Sequence, residues 1–213
     1  MCSSIRKFWQ RLQACVHPDD EHVFKSHPDH TFNLDFPPPA FTGDVDNAPI
    51  VVLMANGGYD PDPITGTRSE FLKPEDRKEH LAMLSRHGVH IPQSLSPYYT
   101  RNFIFPWVRD GKAVIVNAVA YRSPNISQER ENRKLTKLLP SWEAHQRWLH
   151  EEVLPAARRN ERRVIAHRWP LWGLQQGQSA DVIRYSSAPR SPHLGISLRK
   201  ELASWLSQQT AMR

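Results

Sequence analysis

Four short apolar runs constrain the fold of this chain more than any other feature of its sequence. They read PIVVLMA (49–55), KAVIVNAVAY (112–121), RRVIAHRW (162–169) and ADVIRYSSA (180–188). Each run has the length of a β-strand and is rich in β-branched residues. The runs are nearly continuous rather than alternating, which is typical of strands covered on both faces, as in a parallel sheet.

The segments between these runs have helical patterns. KPEDRKEHLAMLSRHG places Pro74 where a first-turn proline belongs, and Gly88 marks a stop. PSWEAHQRWLHEEVLPAARR has Ser141 as a predicted N-cap, and Pro155 is expected to kink or end that helix. The last helix has a core stripe of Leu198, Leu202, Trp205 and Leu206. Strands alternating with helices predict an open, doubly wound α/β sheet, in which ligands bind beyond the carboxyl ends of the strands.

The length and composition favour one domain in the cytoplasm. The 213 residues can bury a sizeable core; we expect an N-terminal helix and arm over residues 1–33 and the α/β domain over residues 34–213. Apolar residues from Ile5 to Val16 recur with helical spacing and predict a surface helix, and the His-, Asp- and Pro-rich residues 17–47 predict a surface arm. No apolar run approaches the roughly 18 residues of a membrane span, so no membrane partner is expected.

The net charge and the number of cysteines and histidines limit which binding partners, metals and cofactors are expected. Lys and Arg number 28 against 22 Asp and Glu, a formal net charge of +6, which favours polyanionic partners. The 2 cysteines cannot hold a four-cysteine iron–sulfur cluster and suit a reducing compartment. The 11 histidines are scattered without HExxH spacing. We therefore expect no metal, no cofactor and a monomeric protein.

Side chains capable of chemistry follow the predicted strands. They are Asn56, Gly58, Tyr59 and Asp60 after the first strand, Asn117 and Arg122 in or after the second, His167 and Arg168 after the third, and SSAPRSPHLG (186–195) after the fourth. Because parallel strands point the same way, these groups are expected to converge on one crevice.

Each of these residues also has a simpler interpretation. Gly57 and Gly58 alone are more often a plain turn, and a single Asn in a strand more often satisfies neighbouring backbone groups. His167 and Arg168 are equally well a core histidine and a surface charge. Asn117 argues for function, because a buried amide within VIVNAVA needs partners or costs about 1–3 kcal/mol. The arrangement as a whole carries the interpretation.

That arrangement resembles the uracil-DNA glycosylase superfamily over about residues 34–206. MANGG (54–58) occupies the place of the family's first motif, and Asn56 matches the residue that positions the attacking water. VIVNAVA resembles a later family strand, in which Asn117 matches the amide that reads the pairing edge of the base. APRSP (188–192) loosely matches the last motif, which leads into a DNA-inserting loop. The resemblance implies a three-layer α/β/α fold with a four-stranded parallel sheet.

The resemblance implies a DNA glycosylase that flips out a pyrimidine, hydrolyses its N-glycosidic bond and leaves an abasic site. Asp60 is either a catalytic base or a turn-stabilising aspartate. Gly58 replaces the bulky tyrosine of strictly uracil-specific members, which predicts a pocket open to uracil and to 5-modified or glucosylated cytosines such as those of phage DNA. Some relatives act in bacterial antiviral defence, and DNA is the expected partner.

Further residues are assigned to stacking and to the DNA backbone. Tyr59 is the favoured ring for stacking on the flipped base, with Tyr98, Tyr99 and Phe103 as alternatives. The predicted DNA contacts are Arg122, Arg168, Arg190, Ser191 and His193, and binding through phosphates predicts a steep loss of affinity with salt.

The sequence departs from the family pattern at two positions, and three functions stay open. Gly57 replaces the usual proline of the first motif. Ala188 stands where the family has the histidine that supports the leaving base. His193, Arg190 and His167 are the candidate substitutes, and their spacing does not choose among them. The first function is a pyrimidine-DNA glycosylase; the second is a catalytically inactive protein of the same fold that binds nucleic acid or a partner; the third is a hydrolase of free nucleosides or nucleotides.

Overall fold

A computed structural model describes residues 2–58, 74–177, 179–186 and 194–211. Its centre is a five-stranded mixed sheet in the order β1-β3-β2-β4-β5. The strands are β1 (Phe41–Gly43), β2 (Ile50–Gly58), β3 (Ala113–Ser123), β4 (Arg163–Ala166) and β5 (Ile183–Tyr185). β2 pairs in parallel with β3 and β4, and β4 in parallel with β5, whereas β1 runs antiparallel to β3. The α/β class is confirmed. The four expected parallel strands are present as β2 to β5, but the expectation of a purely parallel, four-stranded sheet is wrong because β1 adds a fifth, antiparallel edge strand.

Nine α-helices lie within the described residues. They are α1 (Ser4–Trp9), α2 (Glu21–Ser26), α3 (Pro74–Ser85), α4 (Pro97–Thr100), α5 (Phe105–Arg109), α6 (Arg130–Thr136), α7 (Pro140–Trp148), α8 (Leu154–Arg158) and α9 (Ile196–Ala211). None of the helices among the described residues is both long and apolar enough to cross a membrane.

Both faces of the central strands are covered. Along β2, Val51 and Leu53 belong to one hydrophobic cluster, whereas Val52 and Met54 belong to a second. This alternation places the two clusters on opposite faces of the strand. The predicted stripe of α9 packs on the second cluster, where Leu202 is buried. The nearly continuous apolar runs are therefore explained by burial on two sides.

The N-terminal segment is part of the core, in contrast to the predicted surface helix and surface arm. α1 ends at Trp9, and Ile5 and Trp9 are fully buried. Phe24 and Phe32 are buried in the same cluster as β3. The prediction was wrong because the apolar stripe of the first 16 residues specifies burial of one face but not the surface that covers it.

The segment that begins with α7 also differs from its prediction. The N-cap is Leu139 with Pro140 in the first turn, and the backbone N–H of Ser141 donates to the carboxylate of Asp20 at 2.9 Å. A distant aspartate thus replaces the local serine as the capping group. A π-helical turn over Leu149–Val153 precedes α8, which has Pro155 in its first turn. A proline cannot donate to the preceding turn, which accounts for the break in the α-helical pattern.

Candidate functional site

The carboxyl ends of β2, β3, β4 and β5 lie along one edge of the sheet, as parallel pairing requires. Met54 on β2 is the register partner of Asn117 on β3. On the other side of β2, Leu53 pairs with Ala166, and the backbone N–H of His167 donates to the carbonyl of Leu53 at 3.1 Å. Asn117 and His167 therefore flank Met54 on either side, so these two predicted site residues lie at neighbouring strand ends.

Asn117 is a buried amide whose two N–H groups are both used. Its Nδ2 donates to the carbonyl of Pro39 and, at 2.9 Å, to the hydroxyl of Tyr99. Its Oδ1 is buried and has no hydrogen-bond partner among the described residues. The residue is 1% exposed. A buried acceptor without a donor is costly, so this atom is a candidate for accepting a hydrogen bond from a ligand.

The backbone of Asn117 is held as firmly as its side chain. Its N–H donates to the carbonyl of Ala40 at 2.9 Å, and its carbonyl lies 2.8 Å from Nδ1 of His145. The indole of Trp9 donates to Nε2 of His145 at 2.8 Å. Since an indole N–H can only donate, Nε2 is the acceptor and the proton of His145 is on Nδ1. Burial lowers the pKa of His145 to about 4, so the ring is neutral.

Asn56 lies two residues beyond Met54, the register partner of Asn117, and side-chain alternation along β2 directs it to the same side as Val52 and Met54. Its register partner is Val119, and Met54 is the register partner of Asn117. The Cα atoms of the two amides are roughly 8 Å apart, because they differ by two residues along the strand (about 6.7 Å) and by one strand across the sheet (about 4.8 Å). Asn56 is half-buried, whereas Asn117 is fully buried. The site thus has one deep amide and one shallower amide.

An irregularity in the sheet shapes the surroundings of Asn56. Between the pairs Asn56–Val119 and Gly58–Ser123, two steps along β2 correspond to four along β3. This bulge brings Ser123 to Asn56, whose Nδ2 donates to Oγ of Ser123 at 3.0 Å and to the carbonyl of Gly57 at 3.1 Å. Bulges commonly re-aim side chains beside functional sites. The Oδ1 of Asn56 accepts no hydrogen bond from any described residue, so it too is an open acceptor.

The two glycines of the motif have different surroundings. A Cβ built on Gly57 would collide with the ring of Pro39 and lie 3.3 Å from Cγ of Arg122. Gly57 is therefore required by the close approach of the proline segment, not by a turn. A Cβ built on the exposed Gly58 meets no described heavy atom within 4 Å. The room that the sequence predicts at Gly58 is consistent with this open space.

Arg122 is buried within β3 rather than on a surface loop. Its side chain is 2% exposed, and its carbonyl accepts from the backbone N–H of Asn33 at 2.9 Å. The prediction that Arg122 contacts the DNA backbone from a loop therefore does not match its position. Burial, and then the charge of Arg122, lower the pKa of His80 to about 4. Arg122 is a buried cation beside the site.

Sequence reasoning missed several residues that build this edge. Pro39 supplies the carbonyl that orients Asn117, Ser123 anchors Asn56, and His80 of α3 is buried near Arg122. The proline run before β1 can be recognised in the sequence. Its contact with Gly57 of β2 joins residues far apart in the chain, and no local pattern predicts it. Tyr99 was considered for base stacking and instead hydrogen-bonds Asn117. The face of Phe103 is covered by the guanidinium of Arg199 at 3.9 Å.

His167 and Arg168 have different environments at the end of β4. His167 is 1% exposed, and Arg168 is half-buried. Their backbone N–H groups both donate to the carbonyl of Leu53, at 3.1 and 3.2 Å. Of the three candidates for supporting the leaving base, only His167 lies within the described residues. Arg190 and His193 lie outside them. Tyr59, Asp60, Ser191 and the side chain of Tyr98 lie outside them as well.

Two further features of the described residues lie away from these amides. Cys2, Asp46 and His87 bring metal-ligand atoms within 4.8 Å of one another, but the Asp46 carboxylate already accepts from Nε of Arg6 at 2.6 Å and from Ser3. A carboxylate engaged by a guanidinium is an ion pair rather than a ready metal ligand. A cavity of about 560 Å³ lies at the opposite edge of the sheet, next to Pro49 and Lys112.

Comparisons with protein-family models, with curated proteins and with solved structures gave no significant match. The interpretation of this site therefore depends on its geometry and on the motifs in the sequence.

Proposed function

We propose that this chain is a DNA glycosylase that hydrolyses the N-glycosidic bond of a flipped-out pyrimidine and leaves an abasic site. The observation that carries the proposal is the pair of amides Asn56 and Asn117. They lie on adjacent parallel strands, the N–H groups of both are engaged by the protein, and neither Oδ1 accepts a hydrogen bond from a described residue. Ligands of α/β sheets bind at this edge.

Asn56 is suited to hold the attacking water. Its Nδ2 is anchored on Ser123, so its Oδ1 has a fixed direction and accepts a hydrogen from water. An amide cannot take up the proton as a carboxylate can, so Asn56 positions the nucleophile without deprotonating it. Positioning alone contributes substantially when the nucleophile and the reacting carbon are held together. The remaining barrier is then lowered by stabilising the leaving base.

Two groups at the strand ends support the stabilisation of the leaving base. Breaking the glycosidic bond places negative charge on the base, and donors or cations in a buried site stabilise that charge most effectively. Arg122 carries a permanent positive charge and is buried. His167 is level with Met54, across β2 from Asn117. We assign leaving-group support to His167, with Arg122 contributing its charge.

The proposal includes the three-layer fold, a DNA partner and a cytoplasmic location. Four parallel strands with hydrophobic clusters on both faces support the three-layer arrangement of the uracil-DNA glycosylase superfamily. The net charge of +6 supports binding to a polyanion. The free thiols of Cys2 and Cys15 support a reducing compartment. The open space at Gly58 supports a pocket that admits substituents at carbon 5 of the pyrimidine.

The test is base release from defined DNA. Purified protein is incubated with duplexes that contain uracil, 5-hydroxymethylcytosine, glucosylated 5-hydroxymethylcytosine or no modified base, and abasic sites are detected by alkaline strand cleavage. We expect alkali-labile sites in at least one modified duplex and none in the unmodified one. Tight binding to an abasic duplex without any release would instead identify an inactive binding protein. Turnover of free nucleosides alone would identify a nucleoside hydrolase.

A further inference from the structure

The orientation of the Asn117 amide is determined by its partners. The carbonyl of Pro39 can only accept a hydrogen bond, so the atom of Asn117 that faces it is the nitrogen. The second N–H of Nδ2 is directed to the hydroxyl of Tyr99 at 2.9 Å. The amide cannot flip without placing Oδ1 against the Pro39 carbonyl, which would repel it. Asn117 therefore offers a ligand one acceptor and no donor.

We propose that Asn117 selects pyrimidines with an amino group at carbon 4 over pyrimidines with a carbonyl there. This inference rests on the proposed function, because it assumes that the ligand at this edge is a nucleobase. It assigns cytosine-type bases, with or without a substituent at carbon 5, as the substrate class. Uracil- and thymine-type bases are the disfavoured class.

The hydrogen-bonding pattern of the two base types explains the selection. A cytosine-type base carries a 4-amino group, which donates to Oδ1 of Asn117 and brings one acceptor, the ring nitrogen at position 3, beside the amide. A uracil-type base presents a carbonyl at carbon 4, an N–H at position 3 and a second carbonyl at carbon 2. If the N–H at position 3 donates to Oδ1, both carbonyls of the base lie beside Oδ1. Neither N–H group of Asn117 can donate to the carbonyl at carbon 4, because both are already engaged. A buried carbonyl without a donor is penalised.

The burial of Oδ1 favours any base that brings an N–H to it, and the engaged N–H groups of Asn117 then decide between the two base types. The atom is buried and lacks a partner among the described residues, so a ligand N–H replaces a missing interaction instead of competing with an existing one. The preference is therefore expected to arise at Asn117 itself and to depend on Tyr99, which engages the second N–H.

The experiment compares 5-hydroxymethylcytosine with 5-hydroxymethyluracil, which differ only in the group at carbon 4 and its effect on position 3. Each base is placed opposite a tetrahydrofuran abasic analogue, so that the strength of base pairing does not contribute. Both single-turnover release and equilibrium binding of each duplex are measured. We expect the 4-amino base to be preferred by about tenfold or more, the range for one unsatisfied buried group.

The outcomes separate this inference from the proposed function. Preferred release of the 4-amino base supports both. Preferred binding of the 4-amino base without release overturns the glycosylase proposal and supports the selection by Asn117. If the 4-oxo base is released as fast as the 4-amino base or faster, the proposed selection by Asn117 is wrong. If neither base is released, equal or tighter binding of the 4-oxo base has the same meaning.

A variant pair assigns the preference to the amide. Tyr99→Phe frees one N–H of Asn117, so the preference for the 4-amino base is expected to fall toward unity. Tyr121→Phe is the control, because it removes a different buried phenol hydroxyl. That hydroxyl donates to Asp20 at 2.6 Å and does not contact Asn117, so the preference should be unchanged. An unchanged preference in folded Tyr99→Phe would contradict the role of the engaged N–H.

Discussion

Nδ1 of His145 lies 2.8 Å from the carbonyl oxygen of Asn117, and the ring is completely buried. The indole of Trp9 donates to the other ring nitrogen, so the hydrogen bond to Asn117 exists only in the neutral tautomer protonated at Nδ1. A helix at one end of the chain thus supports, through one imidazole, the strand residue that we assign to base recognition. This support depends on the protonation state of His145.

The first prediction is a loss of stability in mild acid. Burial lowers the pKa of His145 from 6.5 to about 4, so the unfolded chain binds this proton more readily than the folded chain. The contribution to the free energy of unfolding is present above pH 6.5 and is lost as the pH falls toward 4, by about 3 kcal/mol for a shift of this size. Urea unfolding between pH 7 and pH 4 measures it.

Variants isolate His145 in that experiment. His80 acts in the same direction, because its pKa is also lowered to about 4, whereas burial raises the pKa of Asp20, which acts in the opposite direction. His145→Gln should be less stable at neutral pH but should lose less stability on acidification. His22→Gln, a replacement at an exposed position, should match the parent. An identical pH dependence in His145→Gln and the parent would contradict the assignment.

The second prediction concerns the contact between Gly57 and Pro39. Gly57→Ala places a methyl group into the Pro39 ring, and overpacking of this kind costs about 1–3 kcal/mol. Gly58→Ala is the matched control, because its methyl group meets open space among the described residues. Thermal or urea unfolding of the two variants provides the comparison. Equal stability of both variants would show that the proline segment does not press against β2.

The third prediction concerns the room beside Gly58. Gly58→Tyr fills the open space and should slow release of 5-substituted pyrimidines by about tenfold or more, while unsubstituted bases of the same type are handled as before. Single-turnover release of cytosine-type bases with and without a 5-hydroxymethyl group measures the ratio. A ratio that does not change would mean that Gly58 does not face the substituent.

Local signals in the sequence predicted the parallel strands and α9, because continuous β-branched runs and a helical apolar stripe each specify burial. They also predicted that Asn56 and Asn117 share one edge, since parallel strands align their ends. They failed where burial depends on distant partners. Trp9 was expected in a surface helix because its partner, His145, lies far along the chain.

The proline segment shows the same limit within the site. Pro39 orients Asn117 through a carbonyl, and a carbonyl has no residue-specific signature in a sequence. Arg122 was predicted to contact the DNA, yet it is buried in β3, and its position at the end of an apolar run gives no local sign of what covers it. The rest of the motif beyond Gly58, with Tyr59 and Asp60, and the segment with Arg190, Ser191 and His193 lie outside the described residues, and their roles stay predictions.

The fourth prediction is salt-dependent binding to DNA. Removing one side chain that binds a phosphate reduces the slope of log affinity against log salt by about 1. Arg168 is half-buried at the carboxyl end of β4, so Arg168→Gln should reduce the slope by about this amount. Arg158→Gln removes the same charge from α8, before the amino end of β4, and should leave the slope unchanged. Equal slopes for the two variants would place the DNA elsewhere.

The central claim is that the oxygens of Asn56 and Asn117 act on one nucleotide, and single-turnover base release by alanine variants tests it most directly. Asn56→Ala and Asn117→Ala should each slow release by about 100-fold, and the double variant should be slowed by less than the product of the two effects because the amides act as a unit. Asn125→Ala, a change at an exposed amide, is the control. Circular dichroism verifies folding. A folded double variant that releases the base at the parental rate would contradict the account.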